Sequence, residues 1–258
     1  MKQFKILLVG LCLLLLGCSA PRPDTVFQLS TIDALLAGVY EGDQTCGSLL
    51  NHGDQGIGTF NDLDGEMIVL NGTVYQIKSD GKVYQPATST KTPFASVCSF
   101  KPELEFPIPG GLDFPRVQEL LNEKASNQNL ICSFKITGKF KMMHTRSVPR
   151  QSKPFPPLRK VTAHQPEFNM ENISGTIIGF RFPAFIKGIN MPGYHLHFIS
   201  NDQSCGGHIL GFEVIEGRCL VDIIHQFELK LPAESSAFGA TDLTKDRSME
   251  LKKVEGGN

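Results

Sequence analysis

The chain of 258 residues has no surplus of basic charge: 25 Lys and Arg stand against 26 Asp and Glu. That balance excludes a polycationic nucleic-acid binder, whose affinity for phosphate comes from a basic excess. Glycine (25) and proline (16) are too few for a collagen-like or low-complexity chain, and an apolar fraction of 41% is too high for a disordered one. No C-x-x-C pair occurs, which argues against a thiolate zinc knuckle. The apolar run Ile6–Leu16 is too short for a bilayer: as a helix it rises about 16 Å against a hydrocarbon core of about 30 Å. What remains is a folded, near-neutral globular protein of one large domain or two small ones.

Lys2 and Lys5 precede that run and Gly17-Cys18-Ser19-Ala20 follows it, so residues 1–17 read as an export signal. Leu15-Leu16-Gly17-Cys18 resembles the bacterial lipobox, which implies cleavage before Cys18, lipidation of Cys18, and an exported protein held at a membrane by that anchor. An ordinary secretory signal with a chance cysteine is the alternative; the Pro-containing stretch within 18–26 reads as a tether and favours the lipoprotein. Without residues 1–17 the chain keeps 23 basic and 26 acidic side chains, a net charge of −3. Export permits disulfides. Five cysteines remain (Cys46, Cys98, Cys132, Cys205 and Cys219), so at least one stays unpaired within the chain. Most are expected to be small buried apolar residues.

Phe27 to Tyr40 has helix-like spacing after the plausible caps Ser30 and Thr31. Asn71-Gly72, between 66–70 and 73–77, is a strong hairpin signal, and Asp80-Gly81 makes a second tight turn. Asp113 caps an amphipathic stretch running to Asn129, and Leu130 to His144 alternates as a long strand. Val148 to Leu158 holds four prolines and must be a loop. Strands resume at 173–185 and 194–200, and Glu216-Gly217 suggests a hairpin between 209–215 and 218–231. The expected class is α+β, with two β-rich domains: a mixed sheet with helices over 27–165, then a mostly antiparallel sheet over 166–258 whose tail returns to the first. A faint echo links Thr59-Phe60…Asp64-Gly65-Glu66 with His197-Phe198…Gly206-Gly207-His208, and hints that Glu66 and His208 occupy similar strand starts.

Tyr194-His195-Leu196-His197-Phe198 is strand-like, and residues at i and i+2 share a face of a strand. Gly206-Gly207 then turns the chain so that His208 can return beside them. H-x-H alone is usually two unrelated strand histidines; a third His after a Gly-Gly turn makes metal the better reading. Three neutral imidazoles suit Zn²⁺, and three protein ligands with an open position are the catalytic pattern. That places the metal site on the second domain. His52, His144, His164 and His225 are isolated and carry no such reading. A cupin also has H-x-H after glycine, but here the following acid falls in a turn and the later histidine is too near.

The chain resembles the bacterial α-acetolactate decarboxylases. The resemblance rests on Gly56-Ile-Gly-Thr-Phe60 with Leu63-Asp-Gly-Glu-Met67, Thr92-Pro-Phe-Ala95, Arg146-Ser-Val-Pro-Arg150 with Pro156-Pro157, Gln165-Pro-Glu-Phe168, Gly175-Thr-Ile-Ile-Gly-Phe180, and Pro192-Gly-Tyr-His-Leu-His-Phe198 with Gly206-Gly-His-Ile-Leu210. It covers nearly everything from about Phe27 onward, in order. It implies decarboxylation of 2-acetolactate to acetoin and CO₂, zinc held by His195, His197 and His208, functional acids at Glu66 and Glu255, a functional arginine at Arg146, and a homodimer.

The residue types suit that chemistry. Losing CO₂ from a β-keto acid sends two electrons toward the ketone oxygen, where an open-sited Zn²⁺ would stabilise the enediolate as a Lewis acid. Arg146 suits a planar carboxylate or developing oxyanion. Glu66 or Glu255, desolvated, could hold and deliver the proton that carbon then needs. Thr59 could hydrogen-bond substrate or a group that touches it. Without the resemblance Glu66 reads as a surface hairpin residue, Arg146 as solvated, and Glu255 as part of a frayed tail; catalysis requires that tail to fold back as a strand. Two competitors stand beside this reading: an exported zinc- or ligand-binding lipoprotein without catalysis, and a cupin-like metal oxygenase that consumes O₂ and prefers iron.

Overall fold

Asn71 and Gly72 both adopt positive φ (+52° and +75°), the backbone of a two-residue turn whose twist matches paired strands. They join Glu66–Leu70 to Thr73–Ile77 in the expected hairpin. Gly81 turns the chain again into Val83–Tyr84, which adds the next strand. This meander is one side of a seven-stranded sheet in a computed structural model that describes residues 24–232 and 236–255. The export signal, Cys18 and most of the tether lie outside those residues. The sheet order is Gln226–Lys230, Thr25–Leu29, Ala95–Cys98, Gln55–Thr59, Glu66–Leu70, Thr73–Ile77, Val83–Tyr84. Only the pair formed by Thr25–Leu29 and Gln226–Lys230 is parallel.

The second sheet is built on three long strands. Ile131–Arg146 pairs antiparallel with Glu167–Phe182 on one edge and with Gly206–Ile224 on the other. Gly193–Ser200 bridges the far edges of those two, so four strands close into a ring, and Leu104–Ile108 adds outside. Helix Phe114–Lys124 is capped by the Asp113 carboxylate, which accepts from the Arg116 N–H at 3.0 Å, and buries Val117 and Leu121 against the ring core of Phe134, Phe140, Phe198 and Phe212. A second core lies between the sheets, where Ile57, Ile68 and Ile77 meet Ile178, Phe180 and Ile199. The mixed, strand-rich α+β class is thus present.

Four local expectations differ. Gly206–Ile224 runs straight through Glu216-Gly217 instead of reversing: these residues pair with Lys139 and Gly138, and a register shift beside Ile215 bends the strand without turning it. The sheets do not divide at residue 165, because Ile131–Arg146 belongs to the second sheet and Gln226–Lys230 to the first. Phe27–Leu29 are strand, since Ser30 (φ +62°) breaks the chain; Thr31 then caps the short helix Ile32–Leu36. The tail returns as a helix, Ser248–Glu255, rather than a strand. Leu251 and Val254, three apart on one helical face, pack with Ile32, Leu35, Leu158 and Val161. The five cysteines are thiols, Cys205 half-buried and the other four buried. No helix among the described residues is long and apolar enough to cross a membrane.

Candidate active site at the junction of the two sheets

Strand alternation puts His195 and His197 on one face of Gly193–Ser200, and the ladder sets His208 directly opposite His197. Arg146 pairs with His208 from the next strand, so the histidines and the guanidinium occupy adjacent rungs. Two glycines make this closeness possible. A Cβ on Gly207 (φ +140°) would collide with the Arg146 carbonyl, and one on Gly179 (φ +154°) with the His195 carbonyl. The fourteen residues from His195 to His208 thus lie tightly against their neighbouring strands.

The imidazole centroids lie 5.1 Å (His195–His197), 4.9 Å (His195–His208) and 5.3 Å (His197–His208) apart. One nitrogen of each falls within 4.8 Å of the others, so the trio could hold a metal ion. All three rings are buried. Burial, reinforced by Arg146 and by the neighbouring rings, holds His197 and His208 far below the usual imidazole range and brings His195 to about 3. Neutral imidazoles are ligands. His197 Nδ1–H donates to the Met67 carbonyl at 2.9 Å, which leaves Nε2 as a bare lone pair. That Nε2 is buried without a hydrogen-bond partner among the described residues. An orphaned acceptor of this kind, between two further imidazoles, fits a divalent cation that prefers nitrogen donors.

The first sheet supplies Glu66, which opens its strand opposite Thr59. Glu66 Oε2 lies 3.7 Å from His197 Nε2. Burial pushes the Glu66 carboxyl up to about 7, although the Arg146 charge and a backbone hydrogen bond from Val148 pull the other way and Glu255 adds to the rise. Thr59 lines the cavity, but its hydroxyl donates to the Gly65 carbonyl at 2.7 Å, bracing the turn before Glu66. The echo between the halves has a counterpart in register: Thr59 faces Glu66 as His197 faces His208.

Glu255 arrives from the C-terminal helix. Its Oε2 is 3.4 Å from His208 Nε2, 3.9 Å from His195 Nε2 and 3.5 Å from Arg146 Nη2. Burial raises its carboxyl and Arg146 opposes the rise. Arg146, itself buried, also donates to the Val254 carbonyl and to Gln165 Oε1. Leu63, Phe94 and Leu158 add apolar lining to the same cavity. The sequence reading thus names seven residues here (Thr59, Glu66, Arg146, His195, His197, His208, Glu255), and the fold brings all seven together. It assigned nothing to Gln165, although the residue stands in a quoted motif, nor to the Met67 carbonyl, for which no side-chain signal exists. His52 stacks on Phe27 and His144 pairs with Glu167, both away from the cavity.

Such a pocket, with three neutral imidazoles, a buried guanidinium and two desolvated acids, suits an enzyme that acts on a small molecule. Residues 26–245 match the family model for alpha-acetolactate decarboxylase. The chain is 42% identical over 230 residues to the alpha-acetolactate decarboxylase of Methylococcus capsulatus (89% of this chain, 88% of that protein) and 39% identical over 247 residues to that of Klebsiella aerogenes (95% of each). The crystal structure of alpha-acetolactate decarboxylase from Bacillus subtilis strain 168 matches with a TM-score of 0.88 at 34% identity, over 90% of this chain and 100% of that one. This chain belongs to the alpha-acetolactate decarboxylase family.

Proposed function

We propose that the protein is a zinc-dependent carboxy-lyase that converts 2-acetolactate to acetoin and CO₂, with zinc held by His195, His197 and His208. The observation that carries this reading is the orphaned His197 Nε2 amid two more buried neutral imidazoles, with Arg146, Glu66 and Glu255 at hand. Zinc, when bound, supplies a Lewis acid for the substrate's ketone and hydroxyl oxygens. Arg146 attracts the substrate anion through a forked donor and favours the oxyanion that develops as CO₂ leaves. The apolar wall excludes water from that charge. The carbon left behind needs a proton. Glu66 and Glu255 are the candidate donors: burial raises both carboxyls, and Arg146 opposes the rise in each.

The test is turnover of racemic 2-acetolactate with and without a chelator, following acetoin and CO₂. Acetoin formation that a chelator abolishes and zinc restores supports the proposal; no acetoin from zinc-loaded protein overturns it. Glu66→Gln should keep its zinc and lose about 10²–10⁴-fold in kcat. An unchanged rate would remove Glu66 from the donor role. Export with lipidation at Cys18 and association as a homodimer belong to the same proposal, resting on the Leu15–Cys18 motif and the family resemblance. The mass of the mature amino terminus and sedimentation of the purified protein test them.

A further inference from the structure

Arg146 is gripped by acceptors of unequal charge. Nη1 donates to the Val254 carbonyl and to Gln165 Oε1 at 3.1 Å, both neutral, while Nη2 reaches the Glu255 carboxylate only at 3.5 Å. Nε is buried and has no hydrogen-bond partner among the described residues. A buried cation is ordinarily paired by close carboxylates. Here the two nearest partners are neutral amide oxygens, and the Glu255 carboxylate pairs with the guanidinium only at 3.5 Å.

Gln165 is well placed to be more than a passive neighbour. It follows helix Leu158–Thr162, its N–H reaching the Thr162 carbonyl, and it precedes Pro166, which disfavours helical backbone at residue 165. The Pro166 carbonyl accepts from the Ser147 N–H at 3.3 Å, tying this corner to the residue after Arg146. Because a guanidinium only donates, the Gln165 amide must present its oxygen to it. A glutamate would have the same length and acceptor atom, and would form a close charged pair.

We infer that Gln165 is a positioning residue: its neutral amide orients the Arg146 guanidinium without neutralising it, and so reserves the charge for an anionic substrate. The inference rests on the assignment of Arg146 to the substrate's carboxylate or developing oxyanion. Gln165→Glu separates orientation from charge. Its KM for 2-acetolactate should rise about tenfold or more, with a smaller change in kcat and full zinc content, because a desolvated counter-charge competes with the substrate. Gln165→Met, neutral but without an acceptor, should lower kcat/KM while leaving zinc and fold unchanged. If Gln165 merely held the loop, Gln165→Glu would pair more tightly, raise the melting temperature and leave KM unchanged, and that result overturns the inference. So does Gln165→Met with wild-type kinetics, should Gln165→Glu not fold. Arg146→Lys distinguishes the two levels. If it is impaired and both Gln165 variants are normal, the inference alone fails; if it too is normal, the role of Arg146 fails first.

Discussion

The imidazoles and the carboxyls reach one cavity by opposite routes. His195, His197 and His208 stand on two neighbouring strands, and a backbone ladder fixes their spacing. Glu66 comes from the other sheet and Glu255 from a helix at the end of the chain, so their positions depend on how separate elements pack together. The histidine half is set by local register; the acid half is set by tertiary contact. The two halves should therefore fail differently: damage to the first removes the metal, and damage to the second leaves a loaded but slow enzyme.

The combined effect on metal and rate should be largest for His197→Ala. It deletes the ring whose tautomer the Met67 carbonyl fixes and whose Nε2 has no other partner among the described residues. Zinc should be lost on purification and acetoin formation should fall on the order of a thousandfold. Metal analysis and turnover on the same sample check this; full zinc with full rate would show that the trio is not the metal site.

The acid half should break without metal loss. Leu251 anchors the C-terminal helix in the cluster of Ile32, Leu35, Leu158 and Val161, helped by an ion pair between Glu250 and Arg159. Leu251→Ala should weaken that docking by about 2–5 kcal/mol and cut turnover about tenfold or more as Glu255 leaves the site, with zinc unchanged. Faster proteolysis of the tail should accompany it. Loss of zinc in Leu251→Ala would erase the distinction between the halves.

How legible each half was follows from the same difference. The period-two His195 and His197, the Asn71-Gly72 turn and the Asp113 cap are local signals, and each gave the right element. Glu66 reads as a surface hairpin residue because nothing near it in sequence reveals that the histidine strands cover it. The parallel pairing of Thr25–Leu29 with Gln226–Lys230 joins residues some 200 positions apart, beyond any local pattern. Glu216-Gly217 misled because a glycine after a polar residue marks a bulge as readily as a turn, and only the partner strand decides. The tail carried a readable sign in Leu251 and Val254, whose spacing is helical, but the expectation that it must join a sheet obscured it.

Asp222 shows what burial alone does to an acid that no chemistry uses. It lies near the far end of the strand that carries His208, is 4% exposed, and accepts a hydrogen bond from the Lys101 N–H at 2.9 Å. Burial, with Asp24 and Glu103 adding to it, pushes its carboxyl up to about 6, against the pull of the Lys101 N–H and charge. A raised carboxyl pKa therefore marks desolvation, and only the neighbouring imidazoles and guanidinium mark Glu66 as functional. The sign for stability follows from proton counts. Between about pH 4 and 6 the folded state holds more protons than the unfolded chain, so stability falls as pH rises through that window and the loss is complete above it. Asp222→Asn keeps an acceptor for Lys101 and removes the ionisation cost. At pH 7 it should gain about 1–2 kcal/mol, allowing for screening by nearby solvent and charges, and the gain should fade toward pH 4. Urea midpoints of both proteins across pH 4–7 measure this, and kcat should not move. A gain that is equal at both ends of the range would mean that ionisation is not its source, and a lower kcat would place Asp222 within reach of the chemistry after all.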